Sequence, residues 1–386
     1  MNDLTVYVPI KSGQVESLRS ILQRINDNKL DNDLYLLQED RLTHSSRWVI
    51  VDDDPGRGPQ LLLAAEFDGE LDDYLRHQMA ITPGLDEIWS HCEGYAGRAH
   101  FIDFIRSNAF PTQAFYIAFP DETVASIRAK IAVRERLEGL LDRAGPVAES
   151  TAAVLAGMPN VRTPWQKVGD FLGRVRQNFH DAWLSLLLAI IKPISQIGQT
   201  KNFSRVTSFV KNPLTPRAQQ LTDLDGQMVT ITTIKPWRYP RLWLAFWINQ
   251  FLGRFGWAPG LFADVGNLHS FRWVLIDNRK RLIFLSVYDG SWQNYMGDFI
   301  DKIIWALDGV YNNTFGYPKG GMRDVTQFQR WILNHQYQPQ LFYRAYPEES
   351  VLNLIRDRTS NNTLAQMAQA GLALESAKVR DTLNAL

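Results

Sequence analysis

The stretch His44-Ser45-Ser46-Arg47-Trp48-Val49-Ile50-Val51-Asp52 returns later in the chain as His269-Ser270-Phe271-Arg272-Trp273-Val274-Leu275-Ile276-Asp277. Six of the nine residues are identical at an offset of 225. The match continues outward. Leu63-Ala64-Ala65-Glu66-Phe67-Asp68-Gly69 answers Phe284-Leu285-Ser286-Val287-Tyr288-Asp289-Gly290, and Phe115-Tyr116, Ala118 and Pro120 answer Phe342-Tyr343, Ala345 and Pro347. A long-range repeat of this kind marks a duplicated domain.

Each copy reads as the same series of elements. In the first, residues 4–10 form a strand rich in β-branched and aromatic residues. Val15, Leu18, Ile21, Leu22 and Ile25 recur at helical spacing. Arg47 to Val51 and Leu61 to Phe67 read as a hairpin around the turn cluster Asp53-Asp54-Pro55-Gly56. Helices then precede a fourth strand at Ala114 to Phe119, and a long helix starts at Val124. The second copy repeats the order from Met228 to Tyr346. The expectation is an α+β fold of two tandem ferredoxin-like βαββαβ repeats, 1–142 and 226–386, packed sheet on sheet with an inserted segment at 143–225. Two such units in one chain resemble the dimeric α+β barrel superfamily, which includes chlorite dismutases, dye-decolourising peroxidases and small monooxygenases.

The inserted segment carries an apolar run, Ala182 to Ile191, within an expected helix at 165–191. Ten Lys/Arg against four Asp/Glu lie between residues 140 and 217. An interfacial membrane anchor and a helix buried against protein both remain open. A second segment has four of the twelve tryptophans within 21 residues, at Trp237, Trp243, Trp247 and Trp257, interspersed with Arg238 and Arg241. Aromatic rings beside arginine suit a membrane interface; they equally suit an apolar pocket or a core.

Residues shared by the copies are expected to serve the fold, and a single site is expected where the copies differ. On that reasoning His44/His269, Arg47/Arg272 and Asp52/Asp277 are structural, with each arginine pairing a carboxylate such as Asp68 or Asp289, or else the two arginines binding a carboxylate or other anion inside each barrel. The differing positions are Glu66 against Val287, His91-Cys92-Glu93 against Asn313-Thr314-Phe315, His335 against Asn108, and Arg344 against Ile117. Glu66 is an outward-facing strand residue or a buried carboxylate with a raised pKa. His91, Cys92 and Glu93 offer a ligand, a thiol and a base, although consecutive residues rarely converge on one centre. The resemblance implies a haem whose iron is held by His335 or, next, His269, with Arg344 beside it. Trp243 and Trp247 are expected to contact an apolar substrate.

Zero net charge gives no general attraction to nucleic acid. Cys92 is the only cysteine, which points to a cytoplasmic home. The first ten residues lack a signal peptide's pattern, and no apolar stretch is long enough for a conventional membrane span. The expected function is a peripherally membrane-associated protein binding an apolar or lipid-like molecule. If it is an enzyme, the resemblance implies an oxidoreductase of the peroxidase or monooxygenase type. The competing expectation is a scaffold whose aromatic and apolar helices mediate homo-oligomerisation or partner binding.

Overall fold

The computed structural model describes residues 1–53, 56–141, 226–255, 262 and 265–369. The chain is mixed α+β, with two antiparallel sheets. The strands are β1 (Asn2–Pro9), β2 (Thr43–Val51), β3 (Gln60–Phe67), β4 (Thr112–Ile117), β5 (Gly226–Thr233), β6 (Leu268–Ile276), β7 (Arg281–Tyr288), β8 (Gln336–Tyr337) and β9 (Leu341–Arg344). The helices are α1 (Val15–Asp27), α2 (Leu71–Ile81), α3 (Leu85–Trp89), α4 (Phe101–Ser107), α5 (Val124–Leu141), α6 (Tyr239–Phe255), α7 (Trp292–Lys302), α8 (Ile304–Tyr311), α9 (Val325–His335) and α10 (Val351–Gln369). The expected helix at 165–191, with the rest of 143–225, lies outside the described residues.

The sheets run β1-β3-β2-β9 and β4-β6-β7-β5-β8. This corrects the expected self-contained βαββαβ unit. The fourth long strand of each copy pairs with the second strand of the other copy: β9 with β2 and β4 with β6. Before crossing, each copy touches its own first strand, through the Val6–Ala109 bridge and through β8 on β5. Neither sheet closes into a barrel. The exchanged strands are covered in matching fashion. Asn26 of α1 accepts from the Phe342 amide at 3.2 Å, and Gln250 of α6 accepts from the Phe115 amide at 2.7 Å. Both bonds satisfy backbone donors that an open edge would leave unpaired.

Strand alternation builds two layers of core. Tyr7, Val49, Val51, Leu62 and Ala64 of the first sheet form one buried cluster with Val229, Ile231, Val274, Ile276, Ile283 and Leu285 of the second. The opposite face of the first sheet, with Val6, Trp48, Ile50 and Leu63, packs on α1 to α4. Leu18, Leu22 and Ile25 are fully buried, as their helical spacing requires.

The described residues form two compact units. The first holds both sheets with α1 to α4 and α6 to α9. The second holds α5 and α10, where Arg134 bonds Glu349 and Asp357 at 3.0 and 3.1 Å. Among the described residues no helix is long and apolar enough to cross a membrane.

Candidate functional site

The pairing of β2 with β3 slips between Thr43 and Ser45, so His44 is an extra residue in a β-bulge. The pairing of β6 with β7 slips in the same way between Leu268 and Ser270, at His269. A bulge breaks the two-residue alternation and re-aims side chains. Consecutive residues therefore face the same space: His44 with Ser45, and His269 with Ser270, all line one pocket. Glu66, Arg344, Tyr346, Met1, Ile117, Ala118, Phe119 and Val287 complete it. The pocket offers about 20 Å³ to the centres of water-sized molecules. That is room for a water or a ligand group of a few atoms; a haem or a lipid chain does not fit.

Each bulge histidine has a carboxylate behind it. His44 Nε2 is 3.0 Å from Asp68 Oδ1, and its Nδ1 is 2.9 Å from the Tyr346 hydroxyl. His269 Nε2 is 2.7 Å from Asp289 Oδ1, and Arg344 Nη1 donates to the same oxygen at 3.4 Å. Burial lowers the pKa of His269, outweighing the pull of Asp289, and Arg344 pushes in the same direction as burial. A neutral imidazole that donates from Nε2 to Asp289 carries its lone pair on Nδ1. That nitrogen has no hydrogen-bond partner among the described residues and is not sealed in the core. Chemically, this is a base with an oriented ring.

Deeper between the sheets lies a charged cluster. Arg47 and Arg272 are fully buried. Each reaches the opposite sheet: Arg47 Nη1 donates to the Ser286 carbonyl and Arg272 Nη1 to the Ala65 carbonyl, both at 2.9 Å. Ala65 and Ser286 are equivalent in the duplication, so the two reaches mirror one another. Glu66, whose counterpart is Val287, serves both arginines, with Arg47 Nη2 and Arg272 Nη2 each 3.4 Å from Oε1. Ser45 donates to its other oxygen, and Asp3 lies 3.3 Å from Arg272.

These contacts correct two expectations. Burial alone would raise the pKa of Glu66, but Arg272, Arg47 and the Ser45 hydrogen bond lower it instead. Glu66 also binds the arginines expected to pair with Asp68 and Asp289. Those two aspartates take the histidines. Burial pulls Arg47 down to about 10, against the attraction of Glu66.

The other candidates lie elsewhere. His335 Nδ1 is 2.7 Å from the Trp331 carbonyl and its ring lies tilted against Trp331, so it finishes α9 and does not line the pocket with His269 and Arg344. His91 is buried between Ser17 Oγ at 3.0 Å and the Ile88 carbonyl at 3.3 Å. Its neighbour Glu93 is exposed, and burial pushes the Cys92 thiol up to about 12. Among the described residues no three His, Cys, Asp or Glu side chains group to hold a metal ion. Trp243 and Trp247 point outward from α6 and are more than half exposed.

The pocket thus joins Glu66 and Arg344, two positions where the copies differ, to His269 and His44, where they agree. Sequence reasoning missed Tyr346 and its counterpart Phe119. The signal was available, because a Tyr stands opposite a Phe two residues after the Arg344/Ile117 pair. Comparison of the chain with protein-family models, curated proteins and solved structures finds no match.

Proposed function

We propose that this protein docks peripherally on an anionic membrane surface through the outward face of α6. One observation carries the reading. Pro240, Trp243, Leu244 and Trp247 follow one another at helical spacing on the exposed side of α6, while Leu242, Ala245, Phe246 and Asn249 are buried on the other. Trp243, Trp247 and Leu244 are 56%, 55% and 43% exposed, and Trp237 just before the helix is 69% exposed. Large apolar side chains in this number on one face call for a cover.

The surrounding charge favours anionic lipid as that cover. Between Ile234 and Phe255 the sequence holds Lys235, Arg238, Arg241 and Arg254 and no Asp or Glu. Burial and the neighbouring Arg238 and Arg241 lower Lys235 to about 8. The β6–β7 turn adds Arg279, whose guanidinium sits 5.1 Å from the Tyr239 ring centre. Asp277, Asn278 and Arg279 all have positive φ, a conformation costly for side chains other than glycine. Indole rings with a basic border fit the headgroup region of an anionic leaflet. The strand exchange supports a companion reading of the chain as two α+β-barrel-type units fused after duplication.

Vesicle flotation tests the docking. The full chain should float with phosphatidylserine-containing vesicles, bind pure phosphatidylcholine less, and release at high salt. Trp243→Ala with Trp247→Ala should remove about 2 kcal/mol of burial or more, roughly a thirtyfold or greater loss of affinity. Equal binding of the variant would overturn the reading. A wild-type dimer that the same variant dissociates would assign the stripe to a second copy of the chain.

A further inference from the structure

The duplication places two equivalent imidazoles around one pocket, and only one of them is capped. His44 Nδ1 meets the Tyr346 hydroxyl at 2.9 Å. The residue equivalent to Tyr346 in the other copy is Phe119, which also lines the pocket and has no hydroxyl. His269 is more than nine-tenths buried, yet its Nδ1 has no partner among the described residues. That nitrogen opens on the pocket rather than being sealed in the core, so a donor entering the pocket can reach it.

We propose that the pocket is a binding site for the hydroxyl group of a small neutral alcohol, which donates to His269 Nδ1 from the place equivalent to that of the Tyr346 hydroxyl beside His44 Nδ1. The surroundings select that class. Glu66 lines the same pocket with its charge met by Arg47 and Arg272, and Asp3 pairs with Arg272, so the charges at that wall already have partners and do not call for an ionic ligand. Arg344 is committed to Asp289 and the Pro347 carbonyl, and its charge disfavours a cation. Ile117, Ala118, Phe119 and Val287 form an apolar wall for a short alkyl group. Asp289 and Arg344 are positioning residues: they hold the ring with Nε2 as donor and Nδ1 as acceptor.

The test uses the full chain labelled with ¹⁵N-histidine, its signals assigned with His269→Gln and His44→Gln, and titrated with methanol. Acetonitrile, similar in size but without a hydroxyl, is the control. The His269 Nδ1 resonance should start at the position of a ring nitrogen open to solvent and move saturably toward that of His44 Nδ1. Acetonitrile should not move it, and neither alcohol nor control should move His44. In Phe119→Tyr the built-in hydroxyl should take the site, so that the resonance starts near the His44 position and no longer responds. A His269 Nδ1 signal that ignores methanol, that moves equally with acetonitrile, or that still responds fully in Phe119→Tyr would overturn the proposal. The wild-type titration decides the matter even if the variant folds poorly.

Discussion

His44 and His269 occupy the same bulge, back onto equivalent aspartates and face one pocket, yet they have different neighbours. Around His44 the ring is closed on both nitrogens, by Asp68 and Tyr346. Around His269 only Nε2 is engaged among the described residues. Three substitutions between the copies produce the difference: Phe119 for Tyr346, Arg344 for Ile117 and Glu66 for Val287. The duplicated scaffold keeps the residues that shape the bulge and the cross-sheet contacts, and varies those that set polarity. A second pair repeats the lesson. The outward face of α1 carries Glu16, Ser20, Gln23 and Arg24, whereas that of α6 carries Trp243, Leu244 and Trp247. In both pairs the buried faces agree in character, and the second copy opens an apolar or unsaturated surface.

The largest effect is expected from making the charged interface symmetric. Glu66→Val copies Val287 but leaves Arg47 and Arg272 buried without their shared carboxylate. It should cost about 3–5 kcal/mol in urea unfolding; a change below about 1 kcal/mol would mean that the arginines find other partners. Arg272→Met should cost somewhat less, about 3 kcal/mol, because Arg47 still neutralises Glu66. Arg272→Met combined with Glu66→Val should fall short of the sum, since both act on one cluster.

Those two variants bear on what could be read from the sequence. The strands, the main helices and the duplication were legible because apolar spacing and long-range identity encode them directly. Glu66 and Arg344 were legible as departures from the repeat. The strand exchange was not, because the residues of β4 and β9 suit a sheet edge without naming which sheet. The bulges were not legible either. A strict two-residue alternation puts Ser45 and Arg47 on one face and leaves His44 on the other. One inserted residue per strand turns His44 and His269 into the same space as Ser45 and Ser270. His335 drew attention as a helix-end histidine, and its Trp331 contact is a local matter that spacing alone did not show.

A smaller effect concerns pH. His269 has a folded pKa below its ordinary value of about 6.5. The fold therefore favours the neutral ring. Its stabilising contribution is present above about pH 6.5 and is lost as the pH falls through the folded value. Asp289 and Arg344 face the ring and set the balance, while Glu66 and Asp40, both with lowered pKa, weaken the fold only in more acidic solution. Chemical unfolding of the wild type should thus show stability dropping from pH 7.5 to 5.5, and His269→Gln should flatten that drop. An unchanged slope in the variant would assign it to other groups. The smallest stability effect is expected on α6, where Trp243→Ala with Trp247→Ala should change unfolding by roughly 0.5 kcal/mol or less, since both rings face outward. A much larger loss would mean that the stripe packs within the protein.

The measurement that bears most directly on the asymmetry is the reciprocal exchange, Phe119→Tyr with Tyr346→Phe, read in the imidazole ¹⁵N spectrum of the full chain. The two histidines should trade places: His269 Nδ1 should take the bonded position that His44 held, and His44 Nδ1 should move to the unbonded one. Spectra in which both resonances stay where they were in the wild type would contradict the account.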